Sequence, residues 1–221
     1  MLTQSENKIA RIRNNISGRF EVLTAALEII NDALQNEDLE LFKGAQNSLA
    51  NFERINLEID NMIIATLATI GAEGKDLREL IAFLKITNET NRISSNARAL
   101  TKKLQLYVKD GAIGDIKQYV TELCKCAINM SEIALQTATS DLANEEGEIY
   151  RKMAVEETKS DDLYALLEKK CVEGASDGIK LSAKDYQRLN AVRKLEKISD
   201  RFMAIGALIE FAKHGGKLDM C

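Results

Sequence analysis

Four acidic residues in the C-terminal half are spaced so that together they could hold a cation: Glu157 with Asp161, and Glu196 with Asp200. Each pair has i,i+4 spacing, so on a helix both of its carboxylates leave from the same face. Asp161 and Glu196 are about 35 residues apart, with the polar break Ser176-Asp177-Gly178 midway. A turn over 175–182 would leave each of them about 14 residues from it, about 21 Å along its helix axis. The two pairs would then meet at one level across a helical hairpin. Four facing carboxylates without histidine form an all-oxygen donor set that suits a hard cation. Like charges this close repel, so the group must take up either a metal or protons. For either pair alone, an ordinary solvated acidic face is the alternative.

The elements that would position these residues are long helices. Hydrophobic residues make up 45% and aromatics only 5%, with no proline and no tryptophan, a balance that favours packed helices over a sheet. Ile9, Ile12, Ile16, Phe20, Leu23, Leu27, Ile30 and Leu34 form a heptad-like stripe that ends near Gln35-Asn36-Glu37-Asp38. A second stripe, Phe52, Ile55, Ile59, Ile63, Leu67 and Ile70, runs to the break Gly71-Ala72-Glu73-Gly74. A third helix spans Lys75 to about Lys109 and stops at Gly111. The pattern recurs with helices over about 113–139, 142–174 and 182–213, separated at Ser140-Asp141 and Gly174–Gly178 and ended by Gly215-Gly216. Gly147 weakens the first turns of the fifth helix. The expected fold is all-α, six long helices as two tandem three-helix bundles, with a first repeat over 1–110 and a second over 111–221. A coiled-coil or spectrin-like scaffold without a site fits the same periodicity.

Several chemistries are excluded or disfavoured. A net charge of -4 and a pI near 5.3 leave no basic stripe for phosphate backbones, so no nucleic-acid partner is expected. No apolar run approaches membrane-spanning length, and the first residues lack a signal-peptide core, so the expected location is cytoplasmic. The single histidine, His214, precedes Gly215-Gly216 and reads as a helix C-cap. One histidine cannot supply a ferritin-like di-iron centre or a Ser–His or Cys–His base, and the glycines are helix breaks rather than a phosphate loop. No enzymatic activity is therefore expected. Cys124 and Cys126 sit two apart and point to different faces of a helix, so they read with Cys171 and Cys221 as small buried hydrophobes. Long amphipathic helices are compatible with a homodimer.

The segment Ala191-Val192-Arg193-Lys194-Leu195-Glu196-Lys197-Ile198-Ser199-Asp200-Arg201 resembles the "R-x-x-E-R-I-G-D-R" motif of the PhoU family, two-repeat regulators of bacterial phosphate uptake. Glu157 and Asp161 fall on that family's upstream "D-x-x-x-D" positions, with Tyr164 three residues on. Asp76-Leu77-Arg78, Ile59-Asp60 and Asn36-Glu37-Asp38 also fit, and the resemblance spans about residues 15–213. It implies a transition metal, iron first, held by Glu157, Asp161, Glu196 and Asp200. It also implies a role between a phosphate ABC transporter's ATPase and a membrane histidine kinase. A non-enzymatic scaffold or accessory subunit of another transporter, with a decayed site, is the alternative.

The first repeat departs from that pattern. Repeat spacing places its four counterparts at Leu49, Glu53, Asn91 and Ser95, of which only Glu53 is a carboxylate, so metal is expected at the second repeat only. On the third helix, Leu77, Leu84, Asn88, Asn91 and Ser95 lie on one arc and read as a core stripe that turns polar at that level. On the last helix, Glu196 and Asp200 lie at the edge of the arc of Val192, Leu195, Ile198, Phe202, Ile205 and Ile209, where carboxylates stay partly solvated.

Overall fold

A computed structural model describes residues 4–139, 147–173 and 183–216. The expected breaks at Ser140-Asp141 and Gly174–Gly178, the turn over 175–182 and Cys221 lie outside these residues. Among the described residues there are six long helices: α1 (Gln4–Asn36), α3 (Phe52–Ile70), α4 (Gly74–Lys109), α5 (Lys117–Thr139), α6 (Glu148–Glu173) and α7 (Ala183–His214). A short helix, α2 (Leu39–Ser48), fills a stretch to which the apolar stripes assigned nothing. A 3-10 turn, Gly114–Ile116, precedes α5 where the sequence pattern had begun a helix at 113.

Local chemistry explains the ends. Asp38 caps α2, its Oδ1 accepting from the amides of Glu40 (2.8 Å) and Leu41 (3.2 Å). Gly71 follows α3 at φ +57°, a left-handed conformation that costs glycine least. The first stripe is wholly buried, from Ile9 to Leu34. Phe52, Ile59 and Ile63 are buried as well, while Leu57 and Ile64 on another side of α3 face solvent.

Within the first half α1 packs on α2, α3 and α4; within the second, α5, α6 and α7 pack on one another. The two halves meet along α1–α5 and, most extensively, along α4–α7. One hydrophobic core runs through both. The arc Leu77, Leu84, Asn88, Asn91, Ser95 is not a core stripe. Leu77, Asn88 and Ser95 are exposed, and α4 buries Leu80, Phe83, Ile86, Ile93, Ala97 and Leu100 instead. The reason is that α4 packs on α1, α2, α3 and α7, so its buried arc is set by four partners rather than one. Among the described residues no helix is long and apolar enough to cross a membrane.

The α6–α7 register is set by three contacts. Glu210 accepts from the amides of Gly147 and Ile149, each at 3.1 Å, capping the start of α6 from the neighbouring helix. Met153 lies against Gly206, where an added Cβ would fall 2.6 Å from the Met153 sulfur. The Ser160 and Ser199 hydroxyls, both fully buried, meet at 3.1 Å. From Ile149 to Met153 to Ser160 the partner number falls on α7 as fast as it rises on α6, so the antiparallel pair holds one register throughout.

Gly206→Val should therefore push α6 off α7 and lower the thermal midpoint. Gly18→Ala, in a helix interior with nothing within 4 Å of the new Cβ, should stabilise by about 0.5–1 kcal/mol. Urea denaturation of both variants checks this pair; a neutral Gly206→Val would mean that the helices do not touch there.

Candidate functional site

Continuing that register, the residue opposite Asp200 falls midway between Glu157 and Asp161, one turn apart on α6. The residue opposite Glu196 is Leu163, two positions past Asp161, about 3 Å along the axis. A hairpin with Asp161 level with Glu196 is thus offset by two residues from the observed one. Glu157, Asp161 and Asp200 each offer a carboxylate oxygen, and the three oxygens lie within 4.8 Å of one another. Glu196 stands beside this trio and not in it.

Lys197 accounts for part of the local balance. Its Nζ is 2.7 Å from Asp200 Oδ2 and 3.0 Å from Glu196 Oε1. These hydrogen bonds, first to Asp200 and then to Glu196, hold its ammonium pKa above the ordinary value. The other oxygen of Glu196, Oε2, is buried without a hydrogen-bond partner, with Arg193 Nε 4.0 Å away. Among the described residues, Glu157 and Asp161 form no such ion pair of their own. Burial, then Asp161, Asp200 and Glu196, raise the Glu157 carboxyl above its usual range. Burial and Asp200 raise that of Asp161, against the pull of Lys197. Burial and then Glu168 keep the Tyr164 phenol above its ordinary value, so it remains a donor at this end of the cluster.

The donor set fits a divalent cation. It offers three carboxylates from two helices, a fourth beside them with an orphaned oxygen, and partial exposure that leaves room for water ligands. The same set without a cation is a repulsive cluster only partly relieved by Lys197.

The first-repeat counterparts occupy a different environment. Leu49 is buried in the core. Glu53, Asn91 and Ser95 do converge, on a surface depression of about 290 Å³ completed by Arg92, Asn96 and Arg201. Arg201 comes from α7, so this depression lies between the two halves. Sequence reasoning did not find it, since only the packing of α7 on α4 brings Arg201 there. It also missed the role of Lys197, although the three-residue spacing to Asp200 was a visible signal.

The remaining candidates are structural. His214 ends α7, its Nε2 3.6 Å from Glu210 Oε2, ahead of Gly215 at φ +85°. Cys124 faces the core, where burial pushes its thiol up to about 12, and Cys126 faces Glu156 and Lys159 of α6 with its thiol pushed up to about 11, mainly by burial. Neither is a thiolate at neutral pH. Cys171 is half-buried and forms no disulfide among the described residues.

The whole chain resembles two solved structures. Against PhoU from Pseudomonas aeruginosa the TM-score is 0.85, with 18% identity over 96% of this chain and 100% of that one. Against the phosphate transport system regulatory protein PhoU from Streptococcus pneumoniae it is 0.82, with 17% identity over 98% and 100%. No family profile and no curated sequence matches. The chain therefore has the PhoU fold, at an identity where only the fold follows.

The raised carboxyls carry a sign. Between the unfolded value of Asp161, 3.8, and its higher native value the folded chain binds more protons, so metal-free stability falls as pH rises through that window and stays reduced above it. Asp161→Asn should raise the midpoint of the metal-free protein at pH 7, and the gain should vanish as the pH falls below the carboxyl range. Thermal melts from pH 3.5 to 7.5 in chelator check this; parallel curves for the two proteins would overturn it.

Proposed function

We propose that this protein is a PhoU-like regulator of phosphate uptake and phosphate-starvation signalling. In this reading it acts as a cytoplasmic, non-enzymatic adaptor between a phosphate ABC transporter's ATPase and a membrane histidine kinase. The observation that carries the proposal is likeness over the full length of two PhoU chains, one of them a phosphate transport system regulatory protein. A local motif match alone would not support a role that depends on the whole surface.

Glu157, Asp161 and Asp200 would hold a metal ion, with Glu196 as the neighbouring carboxylate that can join them. The all-oxygen set suits manganese, magnesium or iron rather than a thiophilic metal. Such an ion supplies a positive charge that bridges α6 to α7 and relieves the carboxylate repulsion. The chain's own residues do the rest. Ser160 and Ser199 keep the carboxylates level, Glu210 fixes the start of α6, and the exposed faces of the helices are free to dock partners.

One observation favours a second reading. Lys197 already places an ammonium against Glu196 and Asp200. An accessory scaffold for another transporter, with a decayed site, could use that lysine as its standing counter-ion.

Metal analysis separates the two readings. Under the first, untagged protein carries about one ion per chain or more, Glu196→Ala with Asp200→Ala removes most of it, and Glu53→Ala leaves it unchanged. Under the second, the wild type carries none, while Lys197→Met acquires it. Affinity purification from phosphate-replete and phosphate-starved cells tests the adaptor role. Recovery of a transporter ATPase or sensor kinase that changes with phosphate is expected, and constant, unrelated partners would refute it.

A further inference from the structure

We infer that the depression between α3, α4 and α7 binds a small tetrahedral oxyanion of phosphate or sulfate type. It occupies the first-repeat counterpart of the acidic cluster, but its donors have the opposite character. Six residues line it: Glu53, Asn91, Arg92, Ser95, Asn96 and Arg201. Two are guanidinium groups and three are neutral hydrogen-bond donors.

The two guanidinium groups are positioned from beneath. Glu89, 7% exposed on α4, takes Arg92 Nη1 on one carboxylate oxygen at 3.3 Å and Arg201 Nη1 on the other at 3.4 Å. The single buried carboxylate between two guanidinium groups leaves one positive charge over at this level, which Glu53 at the surface balances only across solvent. Both contacts are long, and each guanidinium has further N–H donors on a rigid planar fork suited to oxyanions. Arg92 and Arg201 side chains remain 51% and 34% exposed, so those donors are accessible from the depression.

The amide donors are oriented too. Asn56 is fully buried, and its Nδ2 lies 2.9 Å from each of three acceptors, Thr87 O, Thr90 Oγ1 and Asn91 Oδ1, which its two N–H groups share. That last bond occupies the Asn91 acceptor and leaves its NH2 as the group to offer. Ser95 adds a hydroxyl. Asn91, Arg92, Ser95 and Asn96 sit on α4 and Arg201 comes from α7, so the donors approach from two helices, which matches a tetrahedral anion better than a planar carboxylate. Glu53 is the one lining carboxylate. It is exposed at the rim, where solvent screens its repulsion.

A volume of about 290 Å³ leaves space for the anion with part of its hydration shell. The same chemistry fits a free anion or a phosphoryl group carried on a larger molecule. The inference is independent of the metal reading: the cluster on α6 and α7 can bind a metal or not without changing these donors.

Titration calorimetry with inorganic phosphate, sulfate and O-phosphoserine at low ionic strength tests it, using the full chain and four variants. Saturable one-to-one binding is expected. Ser95→Asp adds a negative charge inside the depression and leaves the Glu89 pairs untouched; it should weaken binding by about tenfold or more, with an unchanged circular-dichroism melt. Arg92→Gln should weaken it and Glu53→Gln should tighten it. Arg201→Gln should weaken it also, although this change takes one of the two partners from Glu89. Phosphate much tighter than phosphoserine would identify a free anion, and comparable values a phosphoryl group on a larger molecule. No saturation by about 20 mM, equal binding by Ser95→Asp, or equal binding of acetate would overturn the inference.

Discussion

Two of the longest helices, α4 and α7, lie along one another, and this contact is the constraint on which the other features depend. It joins the core of the first half to that of the second, so neither half presents an apolar face to water along it. It also brings a charge into the interior. Glu89 is nearly buried there, and an unpaired carboxylate in that position would cost several kcal/mol. Arg92 from its own helix and Arg201 from the partner helix answer it, and this ties polar matching to the apolar packing of α4 on α7.

Helix α7 consequently serves three neighbours. Leu195, Ile198, Phe202 and Ile205 enter the core. Glu196 and Asp200 sit at the rim toward α6, and Arg201, the very next residue, reaches α4. A helix pressed from three sides has no single apolar stripe, because its buried arc is the union of three contact faces. The same argument applies to α4, packed on α1, α2, α3 and α7, which leaves Leu77 exposed and Leu84 partly buried while Thr87, Thr90 and Ser94 are buried.

The α6–α7 register decides what the acidic residues can do. An offset of two residues converts two facing pairs into a trio centred on Asp200, with Glu196 beside it and Lys197 between. The Ser160–Ser199 hydrogen bond is worth only about 0.5–1.5 kcal/mol by itself. Its importance lies in agreeing with the Glu210 cap and the Gly206 contact, since three concordant contacts leave no alternative register. In the first half the corresponding place holds one rim carboxylate among donors. Eighteen per cent identity suffices for the fold, because apolar spacing is met by many residues, while the character of a site changes when two or three side chains do.

By itself the sequence determined the six long helices, though not the short α2, and the chemistry available to them. The first stripe from Ile9 to Leu34 is buried as its spacing requires, Gly71 and Gly215 follow helix ends, and His214 belongs to a helix end. Local rules suffice for these because each depends on residues within about one or two turns. The identity of the acidic candidates was legible for the same reason, as i,i+4 spacing is local. What tertiary structure alone decided was everything that crosses between helices. It set which carboxylates meet, that Lys197 lies against two of them, that Leu77 lies off the core, and that Arg201 joins Arg92 over Glu89. Those outcomes depend on register and on the number of neighbours around each helix, and periodicity along one helix carries no information about either.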